Sequence, residues 1–90
     1  MTEDSDARLK RLKIRSWRRG IKEMDLILGG WSDQHLAALS PGELDLYDVL
    51  LEENDHDLYQ WVTGQATPPA PLAPLIGRIA AEFAAREKPV

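Results

Sequence analysis

The chain reads as an all-α protein, a small single-domain bundle of about five helices. Three observations carry that reading. Apolar residues recur at helical spacing throughout, with no alternating strand pattern. Gly20, Gly64 and the Pro-rich stretch Thr67-Pro68-Pro69-Ala70-Pro71 punctuate the periodic runs, while Gly29-Gly30 sits inside one. The segment Ser40-Pro41-Gly42-Glu43 combines a serine N-cap, a proline at the first helical position and a glutamate at the third, so a helix starts there.

The remaining elements follow in order. A first helix is expected over about 6–18, with Asp6 as N-cap and Leu9, Leu12 and Trp17 on one face. Gly20 ends it or caps the next helix, and in the second case Glu23 falls where its carboxylate reaches back to the cap amide. The second helix carries Ile21, Met24, Ile27, Leu28 and Trp31 on one side. Gly29-Gly30 costs this helix roughly 1 kcal/mol per glycine against alanine, so the pair either bends it or admits a close neighbour. The third helix turns Leu44, Tyr47, Leu50 and Leu51 inward. Asp55 is placed as cap of a short fourth helix through Leu58, Trp61 and Val62, which Gly64 stops. A Pro-rich linker over 65–71 leads to a last helix with Leu75, Ile76, Ile79 and Phe83, and with Ala80, Ala81, Ala84 and Ala85 available for close packing. Residues 1–5 are expected to be a disordered start and 88–90 a frayed end, so 1–90 form one helical domain.

Composition removes whole classes of chemistry. The 90 residues include no cysteine, which excludes disulfides, thiolate metal sites and cysteine nucleophiles. No apolar run approaches the ~18–20 residues needed to cross a bilayer. The acidic start, Met1-Thr2-Glu3-Asp4, has no apolar h-region and argues against a secretory signal or a mitochondrial presequence. A cytoplasmic protein without membrane contact is the expectation. Histidine occurs only as His35 and His56, and no nucleophile spacing stands near either, so an enzyme is not expected. Asp55-His56-Asp57 reads as acids at a helix start rather than a metal site, because successive helical residues point apart.

Charge is strongly segregated. Eight of the eleven basic residues fall between positions 8 and 22 with no acid among them, and seven acids fall between 43 and 57 with no base. A basic helix can sit on phosphates, so a nucleic-acid-binding or antitoxin-like regulatory module is the alternative function. The sharper candidate is the cluster Arg19-Gly20-Ile21-Lys22-Glu23. Read locally, Arg19 and Glu23 are either a weak ion pair across a helix start or an exposed patch. In the second reading Gly20 leaves bare backbone, Arg19 offers a bidentate fork and Glu23 an acceptor. Trp17, lying among the cations, is a plausible interface anchor.

The run from Arg15-Ser16-Trp17-Arg18-Arg19-Gly20 through Ile21-Lys22-Glu23-Met24-Asp25-Leu26-Ile27-Leu28 resembles the Arg-Gly-x-x-Glu signature of a known family, the bacterial and mitochondrial succinate dehydrogenase assembly factor 2, or flavinator, family. Leu44-Asp45-Leu46-Tyr47-Asp48-Val49-Leu50-Leu51 followed by Asp55-His56-Asp57-Leu58-Tyr59-Gln60-Trp61 is similar to a second block of that family. Ile21 departs from the methionine common there, and the Pro-rich linker and last helix match least. The resemblance implies a five-helix assembly factor, not an enzyme, that binds the flavoprotein subunit of succinate dehydrogenase or fumarate reductase. It would promote covalent attachment of FAD to that partner and hold no cofactor of its own. The partner-binding residues implied are Arg19, Gly20 and Glu23, with Asp25, Trp17, Arg18 and Arg15 beside them. A monomer is expected.

Overall fold

The computed structural model describes residues 4–87, and every regular element among them is a helix. Its five α-helices are α1 (Ser5–Trp17), α2 (Lys22–His35), α3 (Pro41–Leu51), α4 (Asp55–Val62) and α5 (Ala73–Glu87), with a 3-10 turn over Leu36–Ala38. α2 is the spine: it packs against α1, α4 and α5, while α3 packs against α1 and α5.

Local chemistry sets the boundaries. At α3 the capping box is complete: the Ser40 hydroxyl accepts from the Glu43 amide at 3.2 Å, and Glu43 accepts from the Ser40 amide at 2.9 Å. Gly64, at φ +81°, closes α4, and the Gln65 amide bonds the Gln60 carbonyl at 2.8 Å in a Schellman arrangement. Two caps differ from expectation. Asp4 rather than Asp6 caps α1, accepting from the Ala7 amide at 2.8 Å. Asn54 rather than Asp55 caps α4, accepting from the Asp57 amide at 2.8 Å. In both cases the cap lies just upstream of the residue expected, and Asp55 is thereby released for another bond. Of the expected disordered start, only Asp4 and Ser5 lie among the described residues, as cap and first helical residue. The expected frayed end over 88–90 lies outside them.

The core joins Leu12, Met24, Ile27, Leu28 and Trp31 to Tyr47, Leu50, Leu51, Leu58 and Val62, with Leu75, Ile76 and Ile79 from α5. These are the apolar stripes read from spacing. Of the alanines on α5, Ala80 packs against the core with Phe83, while Ala81, Ala84 and Ala85 lie on the outward face and are exposed. Ile21 also leaves its stripe and is 40% exposed. Trp31 organises the centre. It stacks on Tyr47 with ring centroids 5.7 Å apart, and the Arg78 guanidinium lies 5.5 Å from its ring.

The segregated charges meet inside the molecule. Arg8 pairs with Asp45, Arg11 with Asp48, and Arg15 with Asp48 and Glu52. The partners of Arg8, Arg11 and Arg15 each include a residue 37 positions downstream, so α1 and α3 lie side by side in the same direction. The spacing of the bases, three then four, matches that of the acids. Three of the eight cations that suggested a phosphate-binding helix therefore lie in a helix-to-helix seam and face acids of the same chain.

Candidate functional site

The Arg-Gly-x-x-Glu segment forms the link between α1 and α2. α1 ends at Trp17, with the Arg18 amide bonded to the Arg15 carbonyl. The chain then reverses through Gly20, whose φ of +118° is a conformation other residues rarely adopt. α2 starts at Lys22 with Ile21 as its cap residue, and no side chain caps it. Of the two roles open to Gly20, that of N-cap is thus not taken, and Glu23 makes no back-bond to a cap amide. Glu23 sits at the second helical position, where a carboxylate is favoured by the positive helix end but does not reach back to the link.

Arg19 does not offer its fork to solvent. Its side chain is 9% exposed. Nε donates to Asp55 Oδ1 at 2.7 Å, Nη1 to the Leu51 carbonyl at 2.7 Å and Nη2 to the Glu53 carbonyl at 2.7 Å. The physical reason is electrostatic. The carbonyls at the end of α3 carry partial negative charge and lack helical partners, and a guanidinium satisfies them. Asp55 completes the neutralisation from the first residue of α4. Three hydrogen bonds from one guanidinium, one of them to a carboxylate, hold the group in place. Neither local reading of Arg19 and Glu23 describes what forms, since Arg19 pairs 36 residues away.

Asp25 and Arg15 are also engaged within the chain. Asp25 Oδ1 accepts from the Arg19 backbone amide, pinning the link from the α2 side. Arg15 is bound to Asp48 and Glu52, both at the α1/α3 seam. Three of the seven expected contact residues therefore build the site rather than face outward: Arg15, Arg19 and Asp25.

The other four are exposed: Trp17, Arg18, Gly20 and Glu23. Glu23 makes no hydrogen bond or ion pair among the described residues. Trp17 is 40% exposed and its Nε1 donates to Asp33 Oδ1 at 3.3 Å. Its ring packs onto Gly29, which explains that glycine: a β-carbon there would lie 2.2 Å from a ring carbon. α2 runs without interruption through Gly29-Gly30, so the pair admits a neighbour.

Around Glu23 lies an apolar groove of about 470 Å³ between α1, α2, α4 and α5. Trp17, Leu26, Tyr59 and Phe83 line it, and Glu23 and Arg86 supply its charges. Leu26 is 53% exposed and Ile21 adjoins Glu23 and Tyr59 in a neighbouring depression. Leu26 and Ile21 were not singled out from sequence as surface residues. The signal for Leu26 is its place two residues after Met24, off the inward stripe of Met24, Ile27, Leu28 and Trp31. A face of exposed aliphatic and aromatic groups with few charges suits a protein partner.

Of the two histidines, His35 bonds Glu82 across α2 and α5, and His56 lies beside Gln60 on the exposed side of α4. Asp55 is committed to Arg19 and Asp57 to the Asn54 cap. Among the described residues no three metal-ligating side chains converge, and no helix is long and apolar enough to cross a membrane.

A family model described as flavinator of succinate dehydrogenase matches residues 10–83. The chain is 44% identical over 72 residues to the succinate dehydrogenase assembly factor 2, mitochondrial, of Candida glabrata, covering 79% of this chain and 47% of that protein. The proteins of the same name from Meyerozyma guilliermondii and Debaryomyces hansenii are each 44% identical over 61 residues, or 68% of this chain. The chain spans about half the length of these relatives, 43% to 47%.

Proposed function

The chain belongs to the family of succinate dehydrogenase flavinators, which are assembly factors, and from that premise we propose that it binds an immature flavoprotein subunit and promotes covalent attachment of FAD to it. The subunit is that of succinate dehydrogenase, or of fumarate reductase where that enzyme is present. The reading rests on one observation above all. Within the family's signature segment, the carboxylate of Glu23, unpaired among the described residues, stands on an exposed apolar face with Trp17, Ile21 and Leu26.

In this reading the bond-forming groups belong to the target and its flavin, and this chain holds no cofactor of its own. Its work is to favour one arrangement of the target. A protein that binds one conformer more tightly shifts the population toward it. The factor must then leave, so a modest interface with a polar component suits the task. Gly20 presents backbone without a side chain, Glu23 an acceptor, and Trp17, Ile21 and Leu26 the apolar contact. Arg18 adds an exposed positive charge beside them. A monomer acting in a bacterial cytoplasm is the form in which we place it.

The nucleic-acid or antitoxin-like alternative draws on the basic block, and four of its eight cations, Arg8, Arg11, Arg15 and Arg19, are paired with acids of the same chain. Deleting the gene and reading flavin fluorescence of the denatured flavoprotein subunit tests the proposal. Loss of most covalent flavin is expected, and an unchanged covalent flavin signal overturns it.

A further inference from the structure

The link between α1 and α2 is fastened from two sides through a single residue. Asp25 of α2 holds the Arg19 amide, and the α3/α4 corner holds the Arg19 guanidinium. Asp55 does more than balance charge. While its Oδ1 accepts from Arg19, its Oδ2 lies 3.4 Å from the place a Gly20 β-carbon would occupy. The carboxylate therefore lies under the link, with one oxygen on the arginine and the other beside the glycine.

We infer that Arg19 is a positioning residue that acts through Asp55: it sets the exposed backbone of Gly20 and the start of α2, and the partner meets Gly20, Ile21 and Glu23 rather than the guanidinium. This rests on the reading that the face around Glu23 is the docking face. The geometry leaves the arginine little else to do. Its three hydrogen bonds use all three guanidinium nitrogens, and exposing it to a partner would strand the Leu51 and Glu53 carbonyls and a charged Asp55. The separated sequence blocks, Arg19-Gly20 and Asp55-His56-Asp57, thus form one unit. The second block supports the surface that the first presents.

The test has an arm without any partner and an arm with one. Amide hydrogen exchange is measured for Arg19→Gln, Arg19→Lys and Asp55→Asn, each checked for native helicity. Asp55→Asn alters no side chain of the 20–23 segment, yet faster exchange at the Arg19 amide, by about tenfold, is expected because contacting residues couple by this order. Arg19→Gln gives the same pattern and Arg19→Lys a smaller one. Protection unchanged in Asp55→Asn overturns the inference. In the second arm, binding to the apo flavoprotein subunit is compared for Arg19→Gln, Asp55→Asn and the double variant. The single losses are expected to be similar and the double loss no larger than either. A large loss for Arg19→Gln with none for Asp55→Asn, or losses that multiply, assigns Arg19 to direct contact and overturns it. If Arg19→Gln does not fold, Arg19→Lys takes its place in the cycle. Failure of the unmodified chain to bind overturns the functional reading instead, and the exchange arm still decides the positioning role.

Discussion

The ring of Trp17 occupies the space that a β-carbon on Gly29 would need, 2.2 Å from its nearest ring carbon. The neighbouring Gly30 differs, because a β-carbon there meets only the tip of the Arg86 side chain at 2.9 Å. Alanine at either site gains about 1 kcal/mol of helix propensity. At position 29 the ring must move, and overpacking of this kind costs about 1–3 kcal/mol. Gly29→Ala is expected to lower stability and shift Trp17 fluorescence toward the solvated tryptophan. Gly30→Ala is expected to raise stability, since Arg86 can swing aside. Urea unfolding of the two variants checks the opposite signs.

A buried hydroxyl pair makes a second prediction. Ser16 Oγ donates its one proton to the Leu12 carbonyl at 2.8 Å, so Tyr47 is the donor in the 2.6 Å bond between the two hydroxyls. Burial pushes the Tyr47 phenol up to about 12, which keeps it a neutral donor. Ser16→Ala strands that donor and should cost about 1–3 kcal/mol. Tyr47→Phe added to Ser16→Ala should cost less than the two single changes summed. Thermal melts of the three variants measure it, and strict additivity would contradict the assignment.

The seam between α1 and α3 predicts a pH dependence. Hydrogen bonding from Arg11, with the charges of Arg11 and Arg15, holds the Asp48 carboxyl below its ordinary value of 3.8. A carboxyl lowered in the folded state stabilises fully above its unfolded value and loses that contribution as pH falls through the folded one. Asp48→Asn should therefore be less stable than the parent at neutral pH. The gap should close as pH drops below the ordinary carboxylate range. Equilibrium unfolding across acid pH follows the gap, and a gap independent of pH would contradict the pairing.

Gly20 and Glu23 should separate stability from binding. At φ +118° an alanine is strained, by about 1–3 kcal/mol for a non-glycine residue in a sparsely populated region. Gly20→Ala is expected to lower the melting temperature, and Glu23→Ala to leave it nearly unchanged because that carboxylate has no partner among the described residues. Circular-dichroism melts check both. Equal losses would show that Glu23 has a structural role after all.

Helices, core and much of the punctuation were legible in the sequence, because Ser40-Pro41-Gly42-Glu43, Gly64 and the spacing of Met24, Ile27, Leu28 and Trp31 are local signals. The signature singles out residues 19–23, whose contact role is part of the proposal. What local spacing could not give was the direction of Arg19. An arginine next to a glycine and four residues before a glutamate looks exposed, and the carbonyls that draw it inward belong to a helix end more than 30 residues away. The same holds for the basic block. Arg8, Arg11 and Arg15 resemble a phosphate-binding row until α3 lies beside them with its acids in matching register. The link of Trp17 to Gly29 is likewise absent from local spacing, since a ring packed on a glycine depends on how α1 and α2 approach.

The central claim is most directly tested by reconstitution. Purified apo flavoprotein subunit is incubated with FAD, with and without this chain, and covalent flavin is read by fluorescence after denaturation. The account predicts that the chain accelerates the appearance of covalent flavin, and that Glu23→Ala, folded and helical, loses most of that acceleration. Covalent flavin forming at the same rate whether or not the chain is present would contradict it.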